Sequence, residues 1–209
     1  LSQSMNIAII GSGNVGGALA SRWAAKGHRI FLGVRDPQHF KGQALTELPA
    51  VAVFTIPEAV RQSEAILLAT PATAAIEVAQ SLGDTAGKVI LDAMNVVMGR
   101  GPQGFSNTAD AILAHTASRD VVKCFNTTGF NNMKDPIYQG MPIDLFMAGD
   151  SARGKAIARQ LAIDAGFAEC YDAGGNDKFQ LMEQFAFFWI NLAMMQGLGR
   201  EIGFKLLRR

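Results

Sequence analysis

The stretch NIAIIGSGNVGGALASRW, residues 6–23, sets glycines at positions 11, 13 and 16 between an apolar run and a helical pattern. In a strand–turn–helix unit each glycine has its own task. Gly11 lets the chain turn sharply out of the strand, Gly13 leaves out the side chain that would obstruct a pyrophosphate, and Gly16 lets the helix pack close to the sheet. The helix N-terminus then presents free N–H groups and a positive partial charge to an anion. A tight βα turn without ligand and an adenosylmethionine-binding turn can carry the same glycines, so spacing alone leaves three readings. All three commit the chain to a strand followed by a helix on one sheet, and so to the α/β class.

The rest of the chain repeats that alternation. Strands are expected over residues 6–10, 29–34, 51–54, 65–70, 88–95 and 121–126. Helices are expected over 14–26, from 57, over about 72–82, and ending near His115. Two more strands, 144–150 and 168–174, flank a helix over 152–165, and a last helix runs from about 178 past Gln196. Such βαβ units predict a Rossmann-type, doubly wound, mainly parallel sheet with a short C-terminal helical tail. Residues 1–175 read as the nucleotide-binding domain and 176–209 as a helical segment on the dimer or substrate side. The chain of 209 residues, 49% hydrophobic, is long enough for one core and such an appendage.

Charge and cysteine content narrow the function classes. A formal net charge of +1, with Lys and Arg spread along the chain, gives a nucleic-acid partner little electrostatic support. Cys124 and Cys170 stand apart in apolar stretches and read as buried free thiols, which suits a reducing cytoplasm. Leu1–Ser4 read as a remnant preceding a natural start at Met5. The most apolar segment elsewhere, residues 185–195, is interrupted by Asn191 and falls short of the ~20 residues a membrane span needs. No membrane role is expected.

The end of the second predicted strand bears on which dinucleotide the turn would take. A binder of NAD carries Asp or Glu there for the ribose hydroxyls, whereas this chain reads GVRDP, with Arg35 after Val34. A guanidinium matches a phosphate dianion in charge and geometry, so Arg35 points to the 2′-phosphate of NADP(H). Asp36 precedes Pro37 and reads as the N-cap of a short segment PQHFKG; reading the ribose is its alternative role. His39 and Lys41 add positive charge nearby or are simply solvated. Ligands of open parallel sheets bind beyond the carboxyl ends of the strands. Those ends carry Gly11, Ser12, Gly13, Asn14, Val15 and Gly16, then Val34 and Arg35, Thr70 and Pro71, Asn95, and Asn126, Thr127 and Thr128. These are the expected cofactor-binding residues.

Acid–base candidates are missing from this rim. Of the three histidines, His28 follows a helix stop, His39 lies in a polar segment and His115 near a helix end; each reads as a surface or capping residue. No metal-ligand spacing, Ser/His/Asp arrangement or P-loop is visible, and no catalytic residue is assigned. This suits a protein that aligns its cofactor with a small-molecule redox acceptor bringing its own chemistry. The tail segment LMEQFAFFWINLAMM is apolar nearly all round, which implies burial, and a partner subunit is the expected cover. Glu183, Phe187 and Asn191 share one helical face; they line a substrate site, or they are an exposed Glu and a capped Asn on a packing helix.

Taken together, GSGNVGGALA, GVRDP, LLATP, DAMN, VVKCFNTTGFNNM and GLGREIGFKLLRR resemble the coenzyme F420-dependent NADP oxidoreductases and their bacterial relatives over nearly the whole chain. VVKCFN is also similar to the reductase domain of the STEAP metalloreductases. The resemblance implies a Rossmann fold, NADP(H) on the glycine turn, direct hydride exchange with a deazaflavin, a homodimer, and no essential acid or base; the leading reading is hydride transfer between NADP(H) and coenzyme F420, a flavin or a similar small carrier. It places the position of Arg35 on the 2′-phosphate and residues 126–130 near the nicotinamide. Archaeal members carry Ser where this chain has Val34, His and Pro where it has Asn126 and Gly129, and a small residue where it has Phe130. Those departures fall where the acceptor would stack, so the cofactor carries over better than the acceptor. The alternatives are an imine or 2-hydroxyacid-type reductase, and an NADP(H)-binding sensor without turnover.

Overall fold

The computed structural model describes residues 3–209; the remnant read at the N-terminus falls partly outside the described residues. Six strands and their crossovers build the main unit: β1 (Asn6–Ile10), β2 (Arg29–Val34), β3 (Val51–Thr55), β4 (Ala65–Leu68), β5 (Val89–Asp92) and β6 (Asp120–Cys124). Helices α1 (Asn14–Ala25), α2 (Ile56–Arg61), α3 (Ala75–Ser81) and α4 (Thr108–His115) link them. Beyond β6 come the single-turn α5 (Phe130–Lys134), a hairpin of β7 (Ile137–Tyr138) and β8 (Met141–Pro142), then β9 (Leu145–Ala148), α6 (Ala152–Asp164) and β10 (Cys170–Asp172). Helix α7 (Phe179–Ile190) passes into a π-helical turn, Asn191–Met195.

The eight-stranded sheet runs β10-β9-β6-β5-β4-β1-β2-β3. Every pairing is parallel except β6 with β9, so the sheet is mainly parallel as expected. After β1 the chain crosses to β2 on one side and later returns to β4 on the other. The end of β1 is therefore a switch point, where the crossovers diverge and leave a crevice. Strands buried on both faces alternate between two cores. Ile7 and Ile9 pack with Leu19 and Trp23 of α1, whereas Ala8 and Ile10 face the layer of α2, α3 and α4.

Several observed strands are shorter than the apolar runs. Pairing of β4 stops at Leu68, opposite Ile10, because β1 turns away at Gly11; the Ala69 N–H still donates to the Ile10 carbonyl at 2.9 Å, the last rung on that side. β6 stops at Cys124 because Phe125 takes φ 68°, outside the strand region. The hairpin of β7 and β8, absent from the sequence reading, turns on Gln139 and Gly140 with φ 50° and 81°, the paired positive values of a tight two-residue turn. PQHFKG is a turn and not a helix. Asp36 Oδ1 accepts the Gln38 N–H at 2.9 Å, so it closes an Asx turn.

His28 corrects its reading as a surface or capping group. It is fully buried, with Nδ1 accepting the Met5 N–H at 3.1 Å and Nε2 facing Asp164 Oδ2 at 3.0 Å. Cys124 and Cys170 are free and buried, and their Sγ atoms lie 3.6 Å apart. Hydrogen bonding to Cys124, and then burial, push the Cys170 thiol well above the usual range. No helix among the described residues is long and apolar enough to cross a membrane.

Candidate functional site

The three glycines of the first turn separate by what a side chain would meet. At Gly11, with φ 100°, a Cβ would sit 2.4 Å from the Ala69 carbonyl oxygen, and at Gly16 it would sit 1.9 Å from the Gly11 carbonyl oxygen. Both positions are closed by the fold. At Gly13 a Cβ would meet nothing within 4 Å, so the missing side chain leaves open space. Gly13 is also the N-cap of the 12-residue helix α1 and supplies no side-chain cap. The first N–H groups of α1 thus have no side-chain acceptor in the position where an anion would take them.

From this turn a chain of cavities follows the carboxyl edge of the sheet. A cavity of about 550 Å³ is lined by Ser12, Gly13 and Asn14, with Lys41 and Lys134 at its sides. Ser12 continues into one of about 420 Å³ that holds Gly11, Val34, Arg35, Asp36, His39, Thr70 and Pro71. Pro71 continues into a third, about 430 Å³, with Thr73, Asn95 and Arg100. Asn95 borders a fourth, about 250 Å³, lined by Val15, Asn126, Thr128, Phe130 and Trp189 among others. Two predicted residues line none of these: Gly16 serves helix packing, and Thr127 is buried.

Arg35 projects freely at one end, its side chain 85% exposed, with only Glu77 Oε1 within salt-bridge range at 3.9 Å. Asp36 is occupied within its own turn, with Oδ2 3.2 Å from His39 Nδ1. At the other end, Asn95 and Asn126 join the ends of β5 and β6. Asn95 Nδ2 donates to the Asn126 carbonyl at 2.9 Å, and Asn126 Nδ2 donates to Asn95 Oδ1 at 3.0 Å. The left-handed backbone at Phe125, held by an edge-on contact of its ring with Trp23 (centroids 5.5 Å apart), turns the chain into this pair.

Phe130 lines the fourth cavity, with Lys134 Nζ and the Arg200 guanidinium 5.3 and 5.5 Å from its ring centroid. Trp189, Ala186, Ile190 and Met194 form the facing wall. The residues beyond α7 are pinned beneath it. Asn132 Nδ2 and Trp189 Nε1 both donate to the Ile202 carbonyl, at 2.7 and 2.9 Å, and Asn131 Nδ2 donates to the Arg200 carbonyl at 2.8 Å. Tyr138 Oη donates to Asn132 Oδ1 at 2.5 Å; burial first, then the Glu201 charge, raises its phenol above the ordinary value.

Of the two readings of the stripe of Glu183, Phe187 and Asn191, the one that makes Glu183 an exposed acid is corrected. Glu183 is buried and ion-paired to Lys123, at 2.8 Å, so it is not an exposed acid. Glu183 and Phe187 line a cavity of about 630 Å³, which lies between α7 and the loop of residues 96–106 and contains none of the predicted cofactor residues. The wall facing Phe130 comes from the face of α7 that carries 186, 189 and 190. A second ion pair missed by sequence is Lys123 with Asp92, also 2.8 Å, both fully buried. Lys123 Nζ further reaches Thr108 Oγ1 and the Met94 carbonyl at 2.7 Å each, so one ammonium ties β5, β6, α4 and α7 together.

Residues 6–96 match the profile of a family described as NADP oxidoreductase, coenzyme F420-dependent. Among solved structures, a provisionally named F420-dependent NADP reductase from Arthrobacter sp. FB24 is 25% identical, with TM-score 0.85, over 98% of this chain and 100% of that one. A hypothetical protein of Sinorhizobium meliloti, SMa0349, is 22% identical with TM-score 0.72, over 99% and 97%. A Streptomyces aurantiacus imine reductase shares the fold, at 18% identity and TM-score 0.68, over 93% of this chain but 64% of its own.

Proposed function

We propose that the protein is an NADPH-dependent oxidoreductase that passes hydride between NADP(H) and a small acceptor of the deazaflavin or flavin type. The observation that carries this reading is the run of adjoining cavities along the strand ends, which brings the open face of Gly13, the exposed Arg35 guanidinium and the cavity beside Asn126 onto one rim. The match of residues 6–96 to an NADP oxidoreductase family supports the same cofactor.

The residues fit such a cofactor. Gly13 leaves room for a pyrophosphate against the uncapped N-terminus of α1, and Arg35 supplies a fork for a 2′-phosphate while Asp36 is engaged elsewhere. NADP(H), when bound, supplies the hydride at C4 of its nicotinamide. The chain then has to orient two rings and exclude water. Val15, Ala186, Trp189, Ile190 and Met194 give the fourth cavity apolar walls, and Arg200 is its only ionisable lining group. Arginine does not exchange protons near neutrality, so the lining favours an acceptor that carries its own proton chemistry over an imine or hydroxyacid substrate.

Residues 1–175 then act as the cofactor-binding unit and 176–209 as the acceptor-side wall. Leu181, Phe188, Met194, Met195 and Leu198 are exposed on the tail, a face that a second copy of the chain would cover to make a homodimer. The two buried free thiols support a reducing, cytoplasmic setting.

The test is twofold. Arg35→Ala should weaken NADPH by about thirtyfold and leave NADH nearly unchanged; equal losses would sink the phosphate assignment. NADPH oxidation with coenzyme F420, FMN, FAD, ferric chelates and small imines then sorts acceptors. Turnover with a tricyclic acceptor is expected. Turnover confined to imines overturns the acceptor class, and tight NADPH binding without any turnover identifies a sensor.

A further inference from the structure

Two buried side-chain oxygens lack a hydrogen-bond partner among the described residues, Asn126 Oδ1 and Asn131 Oδ1. The second belongs to the turn at Gly129, where a Cβ on that glycine would lie 2.7 Å from it. The residue that carries the first lines the cavity of about 250 Å³ between the first turn of α1 and α7. Asn126 is only 3% exposed. Its amide cannot be reversed to cure the defect. Nδ2 already serves two acceptors, Asn95 Oδ1 at 3.0 Å and the Met182 carbonyl at 3.2 Å, and turning the amide would set oxygen against oxygen at both. Asn95 is itself locked, because its Nδ2 is spent on the Asn126 carbonyl. The polarity of Asn126 is thereby fixed, with Oδ1 an acceptor only.

A buried acceptor left unpaired is costly once solvent is expelled from the cavity, so whatever fills the cavity must bring a donor. Val15, in the first turn of α1, lines the same cavity, which puts it beside the helix N-terminus suited to a pyrophosphate. Within the reading of the rim as an NADP(H) site, this end belongs to the nicotinamide, whose carboxamide carries an NH₂. We infer that Asn126 Oδ1 accepts the carboxamide N–H of the nicotinamide and so fixes the rotation of that ring against Trp189. Asn126 is a positioning residue that selects a donor-bearing ring, and Asn95 sets its polarity.

The test compares dissociation constants, by calorimetry, for NADP⁺, its 3-acetylpyridine analogue, in which CH₃ replaces NH₂, and its thionicotinamide analogue, which keeps the NH₂. The wild-type protein should bind the acetylpyridine form about tenfold more weakly than NADP⁺ and the thio form within about threefold of it. Asn126→Ala should bring the acetylpyridine ratio to about one, since neither ring then finds an acceptor. Should thermal melts show that Asn126→Ala is unfolded, Asn95→Ala, which frees the amide to turn, should shrink the ratio in the same direction. Equal affinities for NADP⁺ and the acetylpyridine form in the wild type overturn the assignment, as does a preference that survives both substitutions. If the wild-type protein binds none of the three, the NADP(H) reading itself falls, and this role with it.

Discussion

Replacing Lys123 by Met keeps the shape of the side chain and removes the charge on which four elements converge. Two carboxylates, Asp92 and Glu183, then remain at 0% and 3% side-chain exposure without their counter-charge. Thr108 is the sole side-chain hydroxyl between them, donating to Asp92 Oδ2 at 2.6 Å. Breaking a buried ion pair by removing one partner costs about 3–5 kcal/mol. For a chain of 209 residues, an unfolding entropy of about 2.1 cal/mol/K per residue turns that cost into a melting point about 7–11 °C lower. Glu183→Gln is the control. It leaves the Lys123–Asp92 pair neutral and intact, but one of Val96 N–H, Thr108 N–H and Lys123 loses its acceptor oxygen, so it should cost about 1–2 kcal/mol. Both variants are melted by circular dichroism at one fixed protein concentration, because self-association would shift the midpoint. If Lys123→Met melts within about 2 °C of the wild type, or above Glu183→Gln, the ammonium is not what holds the cluster.

Gly13→Ala should keep the wild-type melting point within about 3 °C while weakening NADPH at least about tenfold, whereas Gly16→Ala, whose Cβ would strike the Gly11 carbonyl, should lose several degrees in a melt. A Gly13→Ala protein with normal NADPH affinity would remove the pyrophosphate from that turn. Neither Cys124 nor Cys170 should react with a thiol reagent at pH 8 until denaturant is added, since both are buried and the Cys170 thiol is pushed up; rapid labelling of the native protein would contradict the packing. Glu169 is held below the ordinary carboxylate range, first by its hydrogen bonds from Arg159. Its contribution is present above the unfolded pKa of about 4.3 and lost as pH falls through the lower folded value. Because the pair is partly exposed, Glu169→Gln should cost under about 1 kcal/mol in denaturant melts at pH 7, and progressively less as the pH is taken below about 4.

Much of the fold was legible because strands buried on both faces must be apolar and helices must follow them. The glycine turn, the parallel order and the rim at the strand ends came from local spacing and a rule about sheet edges. Asp36 could be assigned to a cap from Asp-Pro alone, although it closes a turn and starts no helix. The charged groups that the sequence misplaces are misplaced by long-range pairing. Lys123 sits in an apolar strand with no acid near it in sequence; its partners Asp92 and Glu183 are 31 and 60 positions away, and nothing local announces them. His28 looked like a solvated residue after a helix stop, yet Asp164, 136 positions on, takes its second nitrogen into the core. On α7 the nearly all-round apolar pattern does not choose a face: 183 and 187 line one cavity, and 186, 189 and 190 line another.

The reversal of β9 against β6 has a consequence for how such a protein can change over time. Because β9 and β10 run the other way, the carboxyl ends of the last two strands leave the ligand edge, and the amino end of β9 arrives there instead. Asp144, just before β9, catches the Lys205 ammonium and the Leu206 N–H, and its own N–H donates to the Phe204 carbonyl. The far wall of the cavity beside Phe130 is thus drawn from residues beyond 125, while the glycine turn and Arg35 lie before residue 96. On the proposed function, drift in the later segment would exchange one acceptor for another while the earlier one kept its dinucleotide.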